Sequence, residues 1–173
     1  MKDLSQRAGV SVATLYRYFP AKDHVLLGIL LSRYTMALAR ITAEVPPGAT
    51  ARERVTSHLL REFRAEQRDP RLTAALSRVI SETRRSYSEV IEQVEHLHLQ
   101  MLEHVAGAGK PISAEQRHLL PVVQAIFGAA TRRWLAGVCS PAEARFEIRV
   151  GCRLLDLPDL AIAQDAVLAG PAA

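Results

Sequence analysis

The chain has 173 residues, 49% of them hydrophobic, and a formal charge of +4 from 22 basic and 18 acidic side chains. That length can bury one substantial core, or a small domain fused to a larger one, and the mild basic excess is compatible with DNA without requiring it. Two cysteines, Cys139 and Cys152, cannot form a disulfide framework and read as small buried hydrophobes. No uninterrupted run of about 18 apolar residues and no signal-peptide pattern are present, so a cytosolic chain with no membrane partner is expected.

Punctuation divides the sequence into helix-length pieces. Gly9, Pro20, Pro46-Pro47-Gly48, Asp69-Pro70, the stretch 107–111, Ser140-Pro141 and Pro158 are the breaks. Thr50 to Glu53, Ser113 to Gln116 and Ser140 to Glu143 carry the capping-box pattern, and Asp69-Pro70 pairs a cap residue with a proline start. Between the breaks apolar residues recur in steps of three and four. Val25, Leu26, Ile29, Leu30, Tyr34, Leu38 and Ile41 form one such stripe, and Tyr87, Val90, Ile91, Val94, Leu97, Met101, Leu102 and Val105 another. No segment alternates over strand length. An all-α fold follows, with helices expected at 2–8, 12–19, 22–44, 51–68, 70–84, 86–106, 114–137 and 141–155. Pro121 should kink the seventh.

The first 22 residues carry the chemistry. A short helix with Leu4 and Ala8 inward meets Gly9, and Ser11 then caps a second helix two turns long. Leu15 and Phe19 face one side of it. Val12, Ala13, Thr14, Tyr16, Arg17 and Tyr18 face the other. Two short, tightly joined helices form a helix-turn-helix, whose second member enters the DNA major groove.

The string Arg7-Ala-Gly-Val-Ser-Val-Ala-Thr-Leu-Tyr-Arg-Tyr-Phe-Pro-Ala-Lys22 resembles the DNA-binding signature of TetR-family repressors. It covers the first 45 or so residues, and five or six longer helices after a three-helix head is what the resemblance implies for the rest. Further along, Asp69-Pro-Arg-Leu-Thr-Ala-Ala-Leu76, Val94-Glu-His-Leu97 and Arg153-Leu-Leu155 resemble the KstR-type branch, which controls sterol and lipid catabolism in actinobacteria.

The resemblance implies a head and linking helix over 1–45, an effector and dimerisation domain over 46–157 and a tail over 158–173. It also implies double-stranded DNA as a partner. Arg17 and Lys2 suit a guanine edge or a phosphate, and Val12 and Ala13 suit thymine methyls. Ser11 stands at the helix start, while Thr14, Tyr16, Tyr18 and Lys22 offer donors to phosphate oxygens. The family has one further helix ahead of the one starting near Met1. Its absence here would expose Leu4, Val10 and Leu15, which argues for residues upstream of Met1. Ala21 stands where a capping Ser or Asn would be expected.

Helices over 51–137 should enclose an effector pocket, with Phe63, Leu76, Val79, Ile80, Thr83, Tyr87, Ile91, Val94, His98, Val123 and Phe127 as candidate lining. Such a lining suits a small hydrophobic effector, sterol-derived or resembling an acyl thioester, that releases DNA. The last two long helices should pair two copies through Ala125, Ala129, Trp134, Phe146, Arg149, Val150 and Arg153, giving a homodimer on a palindromic operator.

Other chemistry is set aside. His96, His98 and His104 lie near Glu92 and Glu95, but a single Glu-x-x-His at Glu95 and His98 has no mirror motif, so neither a metal nor a cofactor is expected. The stretch Gly107-Ala-Gly-Lys-Pro111 lacks the framework of a phosphate loop, and no nucleophile elbow is present. Arg84, Arg85, Arg132 and Arg133 read as solvated faces. The competing readings are a helical lipid-binding or carrier module without DNA binding, and an all-α enzyme with a His/Glu site.

Overall fold

A computed structural model describes residues 1–83 and 87–157, and every regular element among them is helical. The helices are α1 (Lys2–Arg7), α2 (Val12–Tyr18), α3 (Lys22–Thr42), α4 (Ala51–Glu66), α5 (Pro70–Thr83), α6 (Ser88–Gly107), α7 (Ala114–Leu135) and α8 (Pro141–Cys152), followed by a 3₁₀ turn, Arg153–Asp156. The all-α expectation and the order of elements therefore hold.

Local chemistry explains the helix ends. Ser11, Thr50, Ser113 and Ser140 each accept a hydrogen bond from the backbone amide three residues on, and Asp69 Oδ1 accepts from the Leu72 amide at 3.0 Å. Of these helix starts, only Ser140–Glu143 closes a full capping box. At Thr50 the return bond shifts one residue upstream, because Glu53 Oε2 accepts from the Ala49 amide at 2.8 Å instead. Phe19 ends α2 with φ of −132°, as a residue preceding proline is driven out of the helical region. Gly137, at φ of +69°, closes α7 two residues earlier than the apolar spacing suggests. The last turn of the eighth expected helix tightens into the 3₁₀ segment. α7 is assigned as one continuous helix through Pro121.

Two apolar clusters hold the larger helices together. Leu26, Leu27, Leu30, Leu76, Val79, Ile91 and Val94 join α3, α5 and α6. Val55, Leu59, Phe63, Leu102, Leu120, Val123, Ile148 and Cys152 join α4, α6, α7 and α8, with Phe63 and Trp134 edge-to-face at 5.2 Å. Arg54 pins the start of α4 to the end of α6, donating to the carbonyls of Val105, Ala106, Gly48 and Ala49. α7 and α8 meet closely where Gly151 faces Ile126, and an ion pair between Arg133 and Glu147 also links them.

α3 is long and apolar enough to cross a membrane by length and composition alone. It holds no unbroken apolar run, because Arg33 and other polar residues interrupt it. Its Leu26, Leu27 and Leu30 are buried against α5 and α6.

Candidate functional site

The head is a small unit built on local bonds. Gly9, at φ of +67°, supplies the left-handed residue between α1 and α2, and the Val10 amide bonds the Ser5 carbonyl at 3.0 Å. Ser11 Oγ accepts from the Thr14 amide at 3.0 Å and lies 2.8 Å from the Thr14 hydroxyl. Leu15 and Phe19 are half-buried, and the Phe19 ring lies against Gly28 of α3, where an added Cβ would come within 3.2 Å. A larger residue at 28 would push the head away from the linking helix.

The opposite side of α2 is open. Lys2, Ser11, Val12, Ala13, Tyr16, Arg17, Tyr18 and Lys22 are exposed, and Thr14 is half-buried. Tyr18 is 67% exposed, and the Arg17 guanidinium rests over its ring at 5.1 Å. Ala21, the residue that caps α3, supplies no side-chain cap bond. Leu4 and Val10 are exposed, and Leu15 is not.

Behind the head, α3 to α7 surround a cavity of about 1290 Å³. Of the residues read from sequence as lining, Leu76, Ile80, Ile91, Val94, His98 and Phe127 border it. Phe63, Val79 and Val123 belong to the packed clusters, and Tyr87 packs against His24 with ring centroids 4.6 Å apart. The Thr83 side chain, Arg84 and Arg85 lie outside the described residues. Ala125, expected at a dimer face, borders the cavity. Ala129 and Trp134 are half-buried, the latter against Phe63, while Phe146, Arg149, Val150 and Arg153 are exposed.

The cavity has a polar floor that the sequence reading did not assemble. Tyr34 donates to Glu62 Oε1 at 3.0 Å, and Glu62 Oε2 lies 3.2 Å from His98 Nε2 and 3.6 Å from His58 Nε2. Nearby, Thr131 donates to Glu66 Oε2 at 3.2 Å. Burial alone would raise the Glu62 carboxyl, but the His98 ring beside it, then His58 and the Tyr34 hydroxyl, hold it at about 2. It is an anion at neutral pH. Burial lowers His58. At His98 burial acts the same way, yet the Glu62 charge overrides it and holds the imidazole above its ordinary value. Burial, followed by the Glu62 charge, pushes Glu66 up to about 8, so that carboxyl is mostly protonated at neutral pH. Burial, then both carboxylates, raises Tyr34. The available signal was His58, Glu62 and Glu66 at four-residue spacing on one face of α4, between the apolar positions Val55, Leu59 and Phe63.

Among the described residues, five arginines also border the cavity: Arg33, Arg40, Arg61, Arg68 and Arg132. An apolar body, a hydrogen-bonding floor and cationic edges can bind an amphipathic guest.

A helix-turn-helix joined by one long helix to a hollow helical domain defines a one-component transcription regulator. The chain belongs to the TetR family: the family model "Bacterial regulatory proteins, tetR family" matches residues 1–29, and "Tetracyclin repressor-like, C-terminal domain" matches residues 48–155. It is a repressor-type transcription factor of the KstR kind and not an enzyme. The transcriptional repressor KstR of Mycobacterium tuberculosis is 30% identical over 155 residues, 90% of this chain and 70% of that protein. KstR of Rhodococcus jostii is 29% identical over 90% of this chain and 72% of that protein. A solved TetR transcriptional regulator from Rhodococcus sp. RHA1 superimposes with a TM-score of 0.74 at 27% identity, covering 89% of this chain and 83% of that one.

Proposed function

We propose that this protein is a cytoplasmic repressor that holds a palindromic operator as a homodimer and releases it when a bulky hydrophobic effector fills the cavity. The observation that carries the effector reading is the cavity itself. At about 1290 Å³ it exceeds the several hundred Å³ of an ordinary small-molecule site, and its lining joins apolar side chains such as Leu30, Leu76, Ile80, Ile91, Val94 and Phe127 to polar and charged ones. That size and lining favour a sterol-derived or acyl-thioester guest. The arginines at its edges suit an anionic head on such a guest. The KstR relatives are repressors, and the same role is assigned to this chain.

Dimerisation draws support from the exposed apolar residues Val122, Val138, Phe146 and Val150 on and between α7 and α8, beside Arg149 and Arg153. Two-fold pairing would set two α2 helices about 34–36 Å apart, one turn of DNA. The coupling device is α3. Its first turns hold Phe19 through Gly28, and its later turns present Leu30, Tyr34, Ala37 and Ile41 to the cavity. A guest that pushes on the second half of α3 therefore displaces the head, favouring a dimer whose spacing no longer fits the operator.

The test is a binding titration against the DNA upstream of the protein's own gene. Specific binding should weaken steeply with salt, because Lys2, Arg17 and Lys22 would displace counterions from phosphates. Arg17→Ala should relax base preference at one position per half-site, with a loss of about 1–3 kcal/mol. A steroid acyl-CoA thioester should release the DNA, and a short-chain acyl-CoA should not. Absence of any sequence preference would defeat the proposal.

A further inference from the structure

We infer that the floor of the cavity is a binding site for a divalent transition-metal ion of the zinc class, held by His58 Nε2, Glu62 Oε2 and His98 Nε2. The three atoms come from two helices. His58 and Glu62 are one turn apart on α4, and His98 meets them from α6. Glu62 Oε2 lies 3.6 Å from one imidazole nitrogen and 3.2 Å from the other, and all three atoms lie within 4.8 Å of one another. Ligands about 2.0–2.2 Å from a tetrahedral zinc stand roughly 3.3–3.5 Å apart, so two of the three edges already have nearly the required length.

The unspent bonding capacity of these atoms is the second observation. All three are buried and none meets hydrogen-bond geometry, although His98 Nε2 and Glu62 Oε2 face each other as an ion pair at 3.2 Å. Buried polar atoms are rarely left this way, because each loses its water without replacement. The two imidazoles can share that carboxylate oxygen only by turning N–H groups toward it, whereas a cation accepts a lone pair from all three atoms at once. The surroundings orient the set as outer partners of metal ligands do. Tyr34 donates to the other oxygen, Oε1, leaving Oε2 directed at the histidines. The rings of Tyr34 and Phe127 lie 5.4 and 5.9 Å from that of His98 and restrict its rotation. Two imidazoles and one carboxylate select zinc, cobalt or nickel over the hard ions magnesium and calcium. All three ligand residues border the cavity, so the remaining coordination position is open to a guest oxygen or sulfur. The site stands whether or not the effector is a sterol or an acyl thioester, and its test uses neither DNA nor effector.

The full chain, stripped with a chelator and dialysed, is titrated with Co²⁺ and followed by visible absorption. One equivalent per protomer should bind with a dissociation constant in the micromolar range or below, giving the d–d bands of a four- or five-coordinate site, and Zn²⁺ should abolish them. His98→Gln and Glu62→Gln should each weaken binding by more than a hundredfold. Tyr34→Phe should weaken it about tenfold. His96→Gln changes an exposed histidine bonded to Gln100 and should leave binding unchanged. Circular dichroism reports whether each variant folds; if His98→Gln does not, Glu62→Gln and Tyr34→Phe decide. Unsaturable binding, or bands that persist in the folded Glu62 and His98 variants, would overturn the proposal.

Discussion

Gly151→Ala should destabilise the protein by about 1–2 kcal/mol, although alanine is the better helix former. Gly151 is buried in α8, where it crosses α7. A Cβ there would stand 2.8 Å from Ile126 Cγ2, 3.1 Å from its Cδ1 and 3.3 Å from its Cβ. Carbon atoms rest at about 3.5–4.0 Å, so the closest pair would overlap by roughly 0.7 Å. Ile126 cannot swing aside cheaply, since a β-branched side chain has essentially one χ1 well in a helix. Either the rotamer is strained or α8 moves away from α7, and overpacking of this kind costs about 1–3 kcal/mol. Alanine returns up to about 1 kcal/mol of helix propensity. The assay is urea unfolding followed by circular dichroism at fixed protomer concentration, run as a double-mutant cycle with Ile126→Ala. In that background the clash partner is gone, and Gly151→Ala should become neutral or stabilising. A Gly151→Ala protein as stable as the parent with Ile126 present would refute the packing argument.

Glu66→Gln should flatten the pH dependence of stability. The folded carboxyl titrates near 8 and an unfolded one near 4.3, so between these values the folded chain holds a proton that the unfolded chain has released. Raising the pH through that window therefore favours unfolding, and the parent should lose up to about 1.4 kcal/mol per unit relative to Glu66→Gln. Denaturant midpoints of both proteins from pH 5 to 8, in chelator, read this directly; parallel curves would count against it. Arg54→Lys should cost about 2–3 kcal/mol in the same assay, because an ammonium cannot reach the carbonyls of Val105 and Ala106 together with those of Gly48 and Ala49. Ala21→Ser should raise stability by about 1 kcal/mol, since Ala21 has the extended cap geometry of φ −141° and ψ 165° but no side-chain acceptor; thermal melting checks it.

What the sequence determined by itself was local. Helix identity followed from apolar spacing, and helix starts from side chains that bond amides three residues away, both of which act within one or two turns. The helix-turn-helix was legible for the same reason: Gly9, Ser11, Leu15 and Phe19 are close neighbours whose turn, cap and packing roles are set locally. Tertiary structure decided which apolar side chains face a void and which face one another. Leu76 and Val79 are one turn apart on α5 and both buried, yet only Leu76 borders the cavity, because the partner across from each belongs to another helix. The polar floor was decided there too. Tyr34, His58, Glu62 and His98 come from three helices and are separated by up to 64 positions, so their convergence, and the charges they hold, arise from packing that no local pattern encodes.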